Sequence, residues 1–313
     1  MKGIELAEKF YIEYGAPMLK ERFSELAGLI AVGIAGGGSE CLGYDDELSR
    51  DHDFEAGFCI FLPDESLVDR KTEFALERAY SKLPSEFMGY KRPQLGPVGG
   101  SRHGVIRISD FLMSKTGKPD GELSLDEWFF VPEQSLLEAT DGKIFYDGLG
   151  AISEARKKLA YLPEDVRLKK LAGELLMMGQ AGQYNYGRCA ARGDGGAAQL
   201  ALAEFAKSTI HAVCLLEKRY MPYYKWSFRA LGDSVSFSTL CDRLEYLISS
   251  PNTCDEVEKK QKAVESICAD IISELARQGL SDLCSQDAEA HAYDVNRRIK
   301  DPELRNLHIL YGV

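Results

Sequence analysis

No apolar run in this chain of 313 residues approaches the ~20 residues that a bilayer-crossing helix requires. Missing too is any block of Lys and Arg. The net charge is −11, whereas proteins that hold nucleic acid by neutralising phosphates usually carry a basic face. Nucleic acid is therefore a less favoured partner than a small molecule or a cation drawn to an acidic surface. Cysteine occurs eight times, but never as CxxC. Most cysteines sit in apolar helical contexts, such as Cys214 in "IHAVCLLE" and Cys268 in "VESICADII", the pattern of buried thiols rather than disulfides. Histidine is scarce, with five residues and none at ligand spacing from a cysteine, which argues against a zinc site. The opening "MKGIELAEKFYIEYGAP" mixes charges with apolar residues at helical spacing, unlike a signal peptide. The expected location is the cytoplasm, with no membrane partner.

What is present is enough apolar residue for ordinary cores, 45% of the chain, spread over a length that suggests two domains. Residues 4 to 28 read as one or two helices broken near Pro17. "LIAVGIAG" is a short apolar run closed by glycine, a buried strand. From Asp51 to Leu62 the pattern alternates, with Phe54, Ala56, Phe58, Ile60 and Leu62 on one face, the period of a strand. "LVDRKTEFALERAYSKL" has the spacing of an amphipathic helix, "VIRIS" that of a third strand, and "KIFYD" that of a short strand or edge element. After Gly150 the chain turns almost continuously helical, punctuated at "RGDGG", "MP", "GDS" and "SSPNT". The fold class expected is α+β: a mixed sheet with helices over residues 1–150, then a helical bundle over 151–313.

Chemistry concentrates in "GIAGGGSECLGYDDELSRDHDFEAGFCIFL". Glycines let backbone amides approach a phosphate closely, and a serine adds a hydroxyl donor, so Gly37, Gly38 and Ser39 are candidate phosphate contacts. On a strand, Asp51 and Asp53 project to one side while His52 points away. Two such carboxylates can hold a hard cation, Mg2+ or Mn2+, that shares its shell with phosphate. Acid-x-acid alone recurs by chance in so acidic a chain. The order of strand, glycine-serine turn, gap and acidic strand is far rarer.

That order resembles the nucleotidyltransferase superfamily that includes DNA polymerase beta and kanamycin nucleotidyltransferase. In more detail, "GSECLGYDDELSRDHDF", "LLEATDGKIFYDGLG", "LAYLPEDVR" and "RYMPYYKW" resemble the bacterial family named domain of unknown function 4037, over residues 30 to 230 or so. The resemblance implies a nucleotidyltransferase fold in the first domain. Gly38 and Ser39 then match the phosphate-contacting pair, and Asp51 and Asp53 the metal-binding pair. Two departures stand out. Glu40 follows the serine where antitoxin-type members often have a basic residue, and a third carboxylate is not evident. Asp110, just after "VIRIS", is the first candidate for it and for a proton acceptor, and Glu55 the second. A strand-end Asp also serves as a turn former or helix cap.

In the helical half, "GQYNYGRCAARGDGG" sets Arg188 and Arg192 four residues apart on one face, either as a phosphate fork or as a solvated helix end. "EKRYMPYYKWSF" places Lys225 among Tyr223, Tyr224 and Trp226 after a helix-breaking Pro222. Lys225 is read as a triphosphate contact, against the alternative of an aromatic core with a snorkelling lysine. The expected function is Mg2+-dependent transfer of a nucleoside monophosphate from an NTP, ATP foremost, to a hydroxyl or amine of an unidentified acceptor. A catalytically weak nucleotide-binding regulator of the antitoxin-like type and a non-catalytic interaction protein are the alternatives.

Overall fold

A computed structural model describes residues 1–48, 55–92 and 103–313. The chain divides into two compact units, Met1–Ser124 with Val131–Ala160, and Leu125–Phe130 with Tyr161–Val313.

The first unit opens with helix α1 (Gly3–Phe10), a π-helical turn over Tyr11–Gly15 and helix α2 (Ala16–Arg22). Pro17 does not break this run. It sits at the start of α2, and the amide of Ala16 reaches back five residues to the Tyr11 carbonyl. The wider turn absorbs the mismatch that a proline imposes on an α-helix. Strand β1 (Ala31–Ile34) follows, then β2 (Cys59–Leu62), helix α3 (Arg70–Ser81), a hairpin of β3 (Glu86–Phe87) and β4 (Tyr90–Lys91), and β5 (Gly104–Arg107). Asp69 caps α3 by accepting from the Thr72 amide at 2.8 Å, as its position before the amphipathic run predicts. Helix α4 (Ile108–Thr116) leaves β5 directly. After α5 (Glu127–Phe130), which lies in the second unit, come α6 (Glu133–Thr140), β6 (Lys143–Asp147) and α7 (Ala151–Lys158).

The main sheet is mixed, in the order β5-β2-β1-β6, with β1 antiparallel to both neighbours and β2 parallel to β5. The class is α+β. Strand β2 is shorter than the alternation from Asp51 to Leu62 suggested, and all four of its residues are buried. It is an inner strand covered on both faces. Phe58, just before it, packs edge-on against Tyr80 with ring centroids 5.1 Å apart, and Phe61 packs edge-on against Phe111 of α4 at 5.4 Å. Leu6, Phe10, Ile60, Leu62 and Leu76 complete the main core of this unit.

Among the described residues the second unit is helical throughout, with α5 joined by α8 (Glu164–Met178), α9 (Gly187–Ala191), α10 (Gly195–Leu216), α11 (Ser227–Gly232), α12 (Leu240–Ser249), α13 (Cys254–Arg277), α14 (Ala288–Arg297) and α15 (Pro302–Asn306). A π-helical segment over Gly179–Tyr186 joins α8 to α9. Asp194 starts α10 by accepting from the Ala197 amide at 3.0 Å. Three helix C-termini are closed by buried cations from other helices. Arg167 donates to the Leu215 carbonyl (3.1 Å), Lys260 to those of Leu247 (3.0 Å) and Ser250 (2.7 Å), and Lys169 to that of Leu307 (2.7 Å). Each positive charge lies where unpaired carbonyls concentrate negative potential. Cys214 and Cys268 are buried as expected, and burial pushes the Cys268 thiol far above its ordinary range. No helix among the described residues is long and apolar enough to cross a membrane.

Candidate functional site

Strand directions gather four chain segments at one edge of the main sheet. Because β1 and β2 run antiparallel, with Gly33 opposite Cys59, the end of β1 lies beside the beginning of β2. Parallel pairing puts Gly104, the first residue of β5, beside Cys59 as well. Antiparallel pairing of Ile34 with Lys143 brings the start of β6, and with it the end of α6, to the same edge. The glycine turn, the approach to β2, His103 and the α6 terminus therefore share one neighbourhood.

The glycine turn leaves β1 at Ala35. Gly36 and Gly38 have φ of +112° and +143°, a backbone that side chains rarely tolerate. Its far side is tied down. The Tyr44 amide donates to the Ser39 carbonyl at 2.8 Å, and Lys2 donates to the carbonyls of Gly43 (3.0 Å) and Asp45 (2.6 Å). The Asp45 carboxylate accepts from the Gly3 amide at 2.9 Å. Glu40, the departure from the basic residue of antitoxin-type members, is buried.

Against Gly37 stands the carboxylate of Glu138. A Cβ on Gly37 would lie 3.1 Å from Oε1 and 3.4 Å from Oε2. Lys115 Nζ reaches Oε2 at 2.6 Å, and Gln134 donates to Oε1 at 3.0 Å. The end of α6 beneath them is held by Arg156, which donates to the carbonyls of Thr140 and Asp141. Burial raises the Asp141 carboxyl above its ordinary value, against the Gly142 amide and the Arg156 charge. Burial likewise lowers Arg156.

At the beginning of β2 and β5, Glu55 Oε1 meets His103 Nδ1 at 2.7 Å, both side chains nearly enclosed. Gly57 leaves room for the ring, since a Cβ there would fall 2.7 Å from His103 Cγ. Glu55 is thus committed to an imidazole. Asp51, His52 and Asp53 lie outside the described residues. Among the described residues no three of His, Cys, Asp or Glu form a metal-holding group.

Asp110 is elsewhere. "VIRIS" stops being a strand at Arg107, and Asp110 lies exposed in the first turn of α4, where a carboxylate complements the helix dipole. That position follows the end of β5, so it belongs to the opposite edge of the sheet from Glu55 and His103. Arg107 marks that edge, fixed to Glu73 (2.6 Å) and to the carbonyls of Pro63 (2.9 Å) and Val68 (3.0 Å).

Lys225 lies in the second unit, exposed in the 3-10 turn Tyr224–Trp226 with Nζ 5.2 Å from the Trp226 ring centre. Tyr223 and Tyr224 are 43% and 74% exposed, so these rings are surface and not core. Arg188 lies over Tyr184, 4.8 Å from its ring centre.

The Glu138–Lys115 contact had no mark in the sequence: Glu138 stands in "LLEATDGKIFYDGLG", but nothing there points to Lys115, 23 residues away.

A comparison with curated proteins gives no match. Among solved structures, the crystal structure of a nucleotidyltransferase-like protein from Exiguobacterium sibiricum aligns with 91% of this chain and 80% of that chain, at 11% identity and a TM-score of 0.37. Residues 128–227 match the model of one protein family, described as domain of unknown function DUF4037.

Proposed function

We propose that the protein is a nucleotidyltransferase that moves a nucleoside monophosphate from an NTP, ATP foremost, to a hydroxyl or amine of an acceptor. One observation carries this reading. The positive-φ glycine turn at the end of β1 opens on the sheet edge where β2 begins, and Asp51-x-Asp53 precedes β2 in the sequence. In this reading Gly37, Gly38 and Ser39 meet the triphosphate through backbone amides and a hydroxyl. Asp51 and Asp53 supply the hard oxygen donors that suit Mg2+ or Mn2+. The metal, when bound, neutralises charge on the transferring phosphoryl group. Lys225, in the second unit, is a candidate phosphate contact through its ammonium.

The test has two arms. Incubation with labelled NTPs and a cell extract, followed by identification of whatever acquires the label, finds the acceptor. Calorimetric titration of ATP with Mg2+ and with EDTA should show tighter binding with the metal, and Asp51→Asn with Asp53→Asn should abolish the difference. Equal affinity in both conditions would remove the metal role.

A second reading, a nucleotide-binding regulator without turnover, is favoured by a specific observation. Of the two candidates for a third carboxylate, Glu55 is engaged by His103 and Asp110 lies at the other edge. It predicts ATP binding with no labelled product.

A further inference from the structure

The empty side of Gly37 faces an anion that the chain itself provides. Both oxygens of Glu138 lie within 3.4 Å of where a Cβ on Gly37 would stand, so a carboxylate fills the space a side chain would take. Two neutral or positive groups hold it there. Gln134, one helical turn earlier on α6, donates to Oε1 at 3.0 Å. Lys115, from the last turn of α4, reaches Oε2 at 2.6 Å. The pair is partly open to solvent, with side chains 20% and 22% exposed. The ammonium therefore lies no farther from the Gly37 position than 2.6 Å and 3.4 Å laid end to end.

We propose that Glu138 and Lys115 form a charge gate on the glycine turn: Glu138 is a resident competitor of the phosphate, and Lys115 is the cation that a phosphate takes from it. The proposal rests on the reading of this turn as a phosphate site. A second anion brought to the same turn meets the Glu138 charge at short range, where like charges repel strongly in a partly desolvated place. Lys115 resolves the conflict. Its flexible four-carbon stem carries a compact charge that can turn from the carboxylate to a phosphate oxygen without moving either helix. The two residues consequently act with opposite sign. Lysine favours polyphosphate and glutamate opposes it. A salt bridge that merely joins α4 to α6 has no such signature, because losing either partner then weakens the fold and leaves anion affinity alone.

The experiment uses the full chain and inorganic tripolyphosphate, followed by calorimetry and repeated with ATP. Glu138→Gln keeps the shape and the Gln134 contact while removing the charge, and should bind tripolyphosphate severalfold more tightly than the wild type. Lys115→Met should bind about ten- to a hundredfold more weakly, the range for losing one charge-assisted hydrogen bond, and Lys115→Arg should restore most of the affinity. Melting curves check that each variant folds. Unchanged or weaker binding in Glu138→Gln overturns the gate, as does unchanged affinity in Lys115→Met, or no binding in any of the folded proteins. The transfer reading is judged separately. Opposite signs without labelled product keep the gate and sink nucleotidyl transfer, and labelled product with neither residue mattering does the reverse.

Discussion

Gly142 turns its bare α-carbon onto the carbonyl of Ile34, the last residue of β1. A Cβ there would collide with the oxygen and lie 3.0 Å from the carbonyl carbon, and φ at Gly142 is +84°. This contact lets the entry to β6 close against the strand that launches the glycine turn. Gly142→Ala should therefore destabilise the first unit by at least the ~1–3 kcal/mol of a strained backbone position, with the clash added. Chemical denaturation followed by far-UV circular dichroism measures it. A variant as stable as the wild type would show that β1 and β6 can separate here at no cost.

Next to it, Asp141 gives a prediction with a definite sign. Its folded carboxyl is raised above the ordinary 3.8 because burial disfavours the charge. Between the unfolded and folded values the native state binds more protons than the unfolded chain, so stability is lost as pH rises through the folded value. Asp141→Asn should melt higher than the wild type at pH 7, with the gain shrinking as pH falls toward 3.8. A difference in melting temperature that stays constant over this range would assign the effect to something other than ionisation.

Lys225 separates surface from site. Its side chain is exposed beside Trp226, so Lys225→Met should leave the melting temperature almost unchanged. As a phosphate ligand it contributes a charge-assisted hydrogen bond, worth about 1.5–3 kcal/mol, and ATP affinity should fall about ten- to a hundredfold. An unaltered dissociation constant would leave Tyr223, Tyr224 and Lys225 as a surface feature unconnected with nucleotide.

Local signals in the sequence are legible where the structure obeys local rules. The amphipathic helix in "LVDRKTEFALERAYSKL", the breaker at "RGDGG" and the short strand "KIFYD" all depend on residues within a few positions of one another. "VIRIS" is a strand as expected over residues 105 to 107, but α4 takes Ile108 and Ser109, because β5 stops pairing with β2 at Arg107. Pro17 misled, since a π turn hides inside a pattern that is helical on either side. At the site, the glycine turn was visible as composition. The Glu138–Lys115 and Glu55–His103 pairs span 23 and 48 residues, and only the sheet order brings such partners together.

The π-helical segment Gly179–Tyr186 bonds each amide five residues back and so winds more widely than the helices on either side. Gln183 within it accepts from the Ala288 amide at 2.9 Å and donates to Glu265 (2.7 Å) and the Gln286 carbonyl (2.9 Å). Removing one residue from this stretch lets it relax to a plain α-helix. The helices on either side then keep their faces, because the wide turn takes up its extra residue locally, and the side chains within the segment, Gln183 among them, are the ones re-aimed. A chain shortened here must therefore hold α13 and the start of α14 by contacts other than those of Gln183.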